Sequence, residues 1–121
     1  MQVELAHDFR FESAHRLLNV PEDHKCARLH GHSYRVEVVV RGPVDEQSGW
    51  LVDYQALVDA WQPLHELLDH RYLNDVEGLG NPTSENLARF IWTELQPALP
   101  ELYRITIQET CEARCTFYGK D

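Results

Sequence analysis

The chain has 121 residues and a formal net charge of −9, with 11 basic and 20 acidic side chains. That length is one domain's worth, residues 1–121, and allows roughly two thirds of the unfolded surface to be buried without disulfide staples. The acidity argues against a nucleic-acid binder, which needs a basic stripe to meet phosphates. It does not exclude a small anionic ligand held by a local cluster such as Arg16, Lys25, Arg28 and Arg35.

The start, MQVELAHDF, shows neither a basic region nor an apolar stretch, and no run approaches the ~18 apolar residues of a membrane span. Three cysteines in such a chain are expected as free thiols or metal ligands in a reducing cytoplasm.

From the amino end, Val3, Leu5, Phe9 and Phe11 alternate with Gln2, Glu4, Asp8, Arg10 and Glu12. That period of two predicts a half-buried strand over residues 2–15, its apolar parity running on through Ser13 to His15. A second strand is predicted over 31–41, with His32, Tyr34, Val36, Val38 and Val40 on one face, ended by the turn-rich GPVDEQSG. In DYQALVDAWQPLHELLDH, Leu57, Trp61, Leu64 and Leu68 recur at helical spacing behind an Asp53 cap. Pro63 is expected to kink or interrupt that helix.

In PTSENLARFIWTELQPALP, Thr83 or Ser84 caps a second helix that turns Leu87, Phe90, Ile91 and Leu95 inward. LYRITIQET and CTFYG read as two closing strands. The order strand, strand, helix, helix, strand, strand implies an α+β fold: a four-stranded antiparallel sheet with two helices on one face. No proline or bulge signal blunts the sheet edges, so pairing with further copies of the chain is expected.

The chemistry concentrates in CARLHGHSY, residues 26–34. His30 and His32 are two apart and share a face, and His15 comes beside them if the first two strands pair. Three imidazoles on one face fit a metal site with an open fourth position, while a hydrogen-bonded core histidine is the plain alternative for each alone. Cys26 lacks the nearby cysteine of a structural zinc site and is instead a candidate base or nucleophile. Cys111 and Cys115 read as small buried apolar residues. Asp69 and His70, where the first helix runs out, form a pair able to fix one imidazole tautomer. Glu109 shares the parity of Ile105 and Ile107. It either accepts two hydrogen bonds from an amino-pyrimidinone ligand edge or pairs with an internal arginine.

FESAHRL, CARLHGHSY, GWLVDY, LDHRYLND, NPTSENLARFIW and ETCEA occur in that order and cover nearly the whole chain. Together they resemble the 6-pyruvoyl-tetrahydropterin synthase / 6-carboxytetrahydropterin synthase family. The resemblance implies the tunnelling fold, in which a trimer closes a β-barrel and two barrels stack into a homohexamer with active sites between subunits. It also implies a Zn2+ ion on His15, His30 and His32, and catalysis by Cys26, Asp69 and His70. Glu109 would anchor the pterin, with Thr83 and Glu85 near its pocket. Arg28 and Lys25 are expected beside the substrate's polyanionic tail, with His24 as a further candidate.

The Cys-x3-His-Gly-His spacing and the short chain are similar to bacterial 6-carboxy-5,6,7,8-tetrahydropterin synthases of the queuosine pathway. These are cytoplasmic lyases converting 7,8-dihydroneopterin triphosphate to 6-carboxytetrahydropterin with release of acetaldehyde and triphosphate. Two alternatives stay open. One is a 6-pyruvoyl-tetrahydropterin synthase. The other is a non-catalytic, zinc-stabilised pterin-binding or assembly module, which needs a fourth protein ligand and an inert Cys26. A zinc peptidase is set aside for want of an H-E-x-x-H helix.

Overall fold

The computed structural model describes residues 1–120. Strand β1 (Gln2–His15) pairs antiparallel with β2 (His30–Pro43) along its whole length, Gln2 opposite Pro43 and His15 opposite His30. The alternation along both strands puts Phe9, Phe11, Tyr34, Val36, Val38 and Val40 into the core, with the Phe11 and Tyr34 rings stacked 4.7 Å apart. On the other face of the sheet, ion pairs join Asp8 to Arg35 and Glu37 to Arg104.

Helix α1 (Tyr54–Leu68) begins where the Asp53 carboxylate accepts the Gln55 N–H at 2.9 Å. It buries Leu57, Trp61, Leu64 and Leu68, with Trp61 stacked on Phe9 at 4.9 Å. The expected interruption at Pro63 does not occur; the helix runs on through it. A helix-interior proline costs about 3 kcal/mol. The four buried apolar side chains return about 1.5–3 kcal/mol each, and Pro63 is exposed, so water can solvate the carbonyl it leaves unpaired.

Past α1 the chain returns to the sheet as β3 (Arg71–Tyr72), a two-residue strand parallel to β1 at Ser13 and Ala14. Helix α2 (Ser84–Leu95) follows, capped by the Thr83 hydroxyl, which accepts the Asn86 N–H at 3.1 Å. It buries Leu87, Ala88, Ile91 and Leu95, while Phe90 lies at the margin of the stripe and is only half-buried. Strands β4 (Leu102–Gln108) and β5 (Arg114–Phe117) complete an antiparallel set, β4 against β2 and β5 against β4.

The sheet therefore has five strands in the order β3-β1-β2-β4-β5, four of them antiparallel. The α+β layout is as expected, and the fifth strand is the addition; two residues are too few to show any period. Both end strands are short, a common way to blunt an edge. Beyond β3, however, the outer edge of β1 from Gln2 to Glu12 pairs with no other strand among the described residues. No helix among them is long and apolar enough to cross a membrane.

Candidate metal centre and active site

The β1–β2 register sets His15 opposite His30 and His32 opposite Ser13, so three imidazoles converge where the sheet ends. Their rings meet edge to face, with centroids 4.6 to 5.0 Å apart, and one nitrogen from each lies within 4.8 Å of the others. The Nδ1–H of His15 donates to the Pro82 carbonyl at 2.8 Å, with the Tyr34 hydroxyl 3.2 Å from the same nitrogen. The Nδ1–H of His30 donates to the Arg28 carbonyl at 2.7 Å. Both rings are thereby held as the tautomer whose Nε2 carries a bare lone pair, the arrangement metal-bound histidines use.

Those two Nε2 atoms face each other at 3.0 Å. Two lone pairs at that separation repel unless a cation lies between them. Zinc with tetrahedral Zn–N bonds of about 2.0–2.1 Å needs its nitrogens about 3.3 Å apart, so the His15–His30 pair fits the ion with a small outward shift. Burial pushes the pKa of His15 down, outweighing the Pro82 carbonyl and the Glu109 charge that favour protonation. His32 is lowered by the same cause, again against Glu109. Neutral imidazoles are the ligand form, so this environment suits a metal.

The histidines open onto a cavity of about 380 Å³ whose wall includes Lys25, Cys26 and Glu109. Glu109 follows β4 and brings Oε2 to 4.0 Å from His32 Nε2. The half-buried Cys26 belongs to the loop between β1 and β2, in a 3-10 turn over Lys25–Ala27. The cation on the wall is Lys25; Arg28 is exposed, and its contribution here is the carbonyl that orients His30. Thr83 is occupied as the α2 cap, and Glu85 lies in the first turn behind it. Burial first, then the charges of Glu85 and Glu109, raises the pKa of the Cys115 thiol. Of the two late cysteines expected inside, Cys115 is half-buried and Cys111 is exposed, because β4 ends at Gln108 and Cys111 falls in the turn beyond it.

Asp69 and His70 are brought together, but elsewhere. The Asp69 carboxylate accepts the Glu12 N–H at 2.9 Å through Oδ1 and the His70 Nδ1–H at 2.8 Å through Oδ2. The Glu12 N–H, and after it His70, holds the Asp69 carboxyl below the usual carboxylate range. His65, one helical turn back, places Nε2 3.5 Å from the same Oδ2. Ser13 secures the turn to β1: its hydroxyl donates to the Leu68 carbonyl and accepts the Arg71 N–H at 3.2 Å. The His70 side chain is 79% exposed and overlooks a second, open cavity of about 570 Å³. His32 borders both cavities; Cys26 lines the first and His70 the second.

A family model described as 6-pyruvoyl tetrahydropterin synthase matches residues 4–120. The chain belongs to this family. A Synechocystis protein named 6-carboxy-5,6,7,8-tetrahydropterin synthase is 38% identical over 118 residues, covering 93% of this chain and 90% of the relative. A 6-pyruvoyl tetrahydrobiopterin synthase of Dictyostelium discoideum is 38% identical over 113 residues, 83% of this chain and 84% of that one. The solved structure of Caenorhabditis elegans 6-pyruvoyl tetrahydropterin synthase superposes with a TM-score of 0.91 at 29% identity, covering 99% of this chain and 97% of the other. The fold is therefore the tunnelling fold of pterin-processing enzymes, whose substrates are small pterins.

Several participants escape a reading of the sequence. The Pro82 carbonyl that fixes His15 is a main-chain group and leaves no side-chain signal. His65 is more accessible to inspection, since a histidine four residues before an aspartate on a helix lies on the same face.

Proposed function

We propose that the chain is a zinc-dependent 6-carboxy-5,6,7,8-tetrahydropterin synthase. On this reading it converts 7,8-dihydroneopterin triphosphate to 6-carboxytetrahydropterin with release of acetaldehyde and triphosphate, in the cytoplasmic route to queuosine. The observation that carries the proposal is the shared cavity: Cys26 and Glu109 stand in one wall with His15, His30 and His32.

His15, His30 and His32 hold the zinc, which supplies Lewis acidity to the substrate's side-chain hydroxyls. Glu109 offers its carboxylate to the amino-pyrimidinone edge of the pterin, with Thr83 and Glu85 bordering the ring. Cys26, as thiolate, takes a proton from the side chain. Lys25 and Arg28 attract the triphosphate into an otherwise acidic molecule. His70, held in one tautomer by Asp69, serves as the second proton carrier. Within one chain it lines a different cavity from Cys26, so the site is completed by a neighbouring copy in a homohexamer. The open outer edge of β1 supports such an assembly.

The equal identity to relatives bearing two product names leaves identity alone no vote on the product. Incubation of the zinc-loaded protein with 7,8-dihydroneopterin triphosphate, with products identified by mass, decides it. Acetaldehyde together with the 6-carboxy pterin is expected. Formation of 6-pyruvoyltetrahydropterin without acetaldehyde would overturn the assignment in favour of the pyruvoyl enzyme.

A further inference from the structure

We propose that His24 is a positioning residue for Cys26: its imidazole, through Nδ1, holds the turn that aims the thiol into the histidine cavity. The inference rests on the role of Cys26 proposed above.

The turn over Lys25–Ala27 fully buries none of its residues, with Cys26 and Ala27 half-buried, so hydrogen bonds carry much of its definition. His24 stands at the N-cap in extended conformation (φ −69°, ψ 134°), and its Nδ1 accepts the Cys26 N–H at 3.0 Å. Side-chain acceptors at this position are ordinarily Ser, Thr, Asp or Asn, and the imidazole does the same work from a ring nitrogen. Acceptance requires a lone pair on Nδ1, so the ring proton sits on Nε2, the opposite tautomer to His15 and His30.

On the other side of the residue, the Cys26 carbonyl accepts the Leu17 N–H at 2.8 Å, two positions beyond His15. The Arg28 N–H donates to the Lys25 carbonyl at 3.2 Å, and the Arg28 carbonyl in turn holds His30. Cys26 is thus pinned through both main-chain groups, one pin leading to the strand end at His15, while the neighbouring Lys25–Arg28 bond leads to His30. Of these bonds, the one from His24 alone depends on a side chain acting on Cys26 itself. Removing it frees the Cys26 N–H while the histidines keep their own partners. The thiol then loses its fixed approach, and the metal site does not change.

The test compares His24→Ala and His24→Asn with wild type as zinc-loaded, full-length protein, using 7,8-dihydroneopterin triphosphate. Asparagine keeps an acceptor at the cap and removes the ring. For His24→Ala, kcat is expected to fall about tenfold with KM changed less than about twofold, because positioning acts on the chemical step. Zinc content should match wild type, and deuterium exchange should quicken in the peptide spanning residues 24–28. His24→Asn should recover kcat to within about threefold of wild type and restore slow exchange.

A wild-type kcat in His24→Ala, with Cys26→Ala inactive, overturns this inference and leaves the role of Cys26 standing. An asparagine variant as slow as the alanine variant overturns the cap, since the ring itself would then be needed. A raised KM at unchanged kcat would make His24 a substrate contact instead. Full turnover by Cys26→Ala overturns the catalytic assignment and this inference together.

Discussion

The three histidines and the Asp69–His70 pair stand at the same end of β1 and are built by opposite means. The histidines come from two adjacent strands in full register, and the sheet brings them together, with two loop carbonyls only orienting the rings. Asp69 and His70 come from the turn after α1, and four hydrogen bonds with Glu12 and Ser13, including one from the His70 N–H to the Glu12 carbonyl, tie that turn to β1. The histidine cluster is partly buried, with His15 enclosed and His30 and His32 half-buried, whereas His70 is largely exposed beside an open cavity. The difference teaches where a single chain suffices. Strand register by itself can bring three potential metal ligands together, whereas the surface pair depends on where a turn is tied down.

The sharpest way to break this contrast is His30→Ala. It should remove bound zinc, measured by elemental analysis, and reduce turnover by about 10³-fold or more. Mixing it with His70→Ala then separates the two regions. Each variant alone should be inactive, and hybrids formed by subunit exchange should regain measurable turnover if His70 serves a neighbour's cavity. No recovery in verified hybrids would place both groups in one chain's site.

Glu109→Gln should weaken substrate binding by roughly 10–100-fold in direct titration, as a charged acceptor becomes a neutral one. Zinc should be retained. Ser13→Ala acts on the other region: it leaves the Leu68 carbonyl and the Arg71 N–H without their shared partner. About 1–3 kcal/mol of stability should be lost in urea unfolding, and kcat should fall while zinc stays bound.

The smallest effect concerns pH. Asp69 has a carboxyl held below its ordinary range in the fold, so the stability it contributes is present above that ordinary range. It is lost as pH falls through the lowered value. Asp69→Asn should therefore flatten the acid limb of a pH–stability curve and leave the curve near neutrality parallel to wild type.

The periodic parts of the molecule were legible and the rest was not, for physical reasons that individual residues make plain. Val3 to Phe11 and Tyr34 to Val40 alternate because one face of the sheet is buried, and Leu57 to Leu68 repeat because one face of α1 is. The caps at Asp53 and Thr83 follow from side-chain chemistry alone. Strand β3 was hidden because two residues carry no period, and Pro63 misled because its local penalty is smaller than the burial around it. In the site, the convergence of His15 with His30 and His32 followed from parity plus pairing. The separation of Cys26 from His70 did not, because it depends on where two loops land. Nor did the tautomers, set by the carbonyls of Pro82 and Arg28.

His70 also adopts a left-handed backbone, φ 55°, a conformation that glycine takes freely and that costs other residues about 1–2 kcal/mol. If His70 carries protons as proposed, the position is one where durability and chemistry ask for different amino acids. Selection for heat resistance alone would drift toward glycine there, and each such gain would discard the imidazole. Programmes that thermostabilise this scaffold should hold position 70 fixed and seek their improvements in the exposed, helix-borne positions around Pro63 instead.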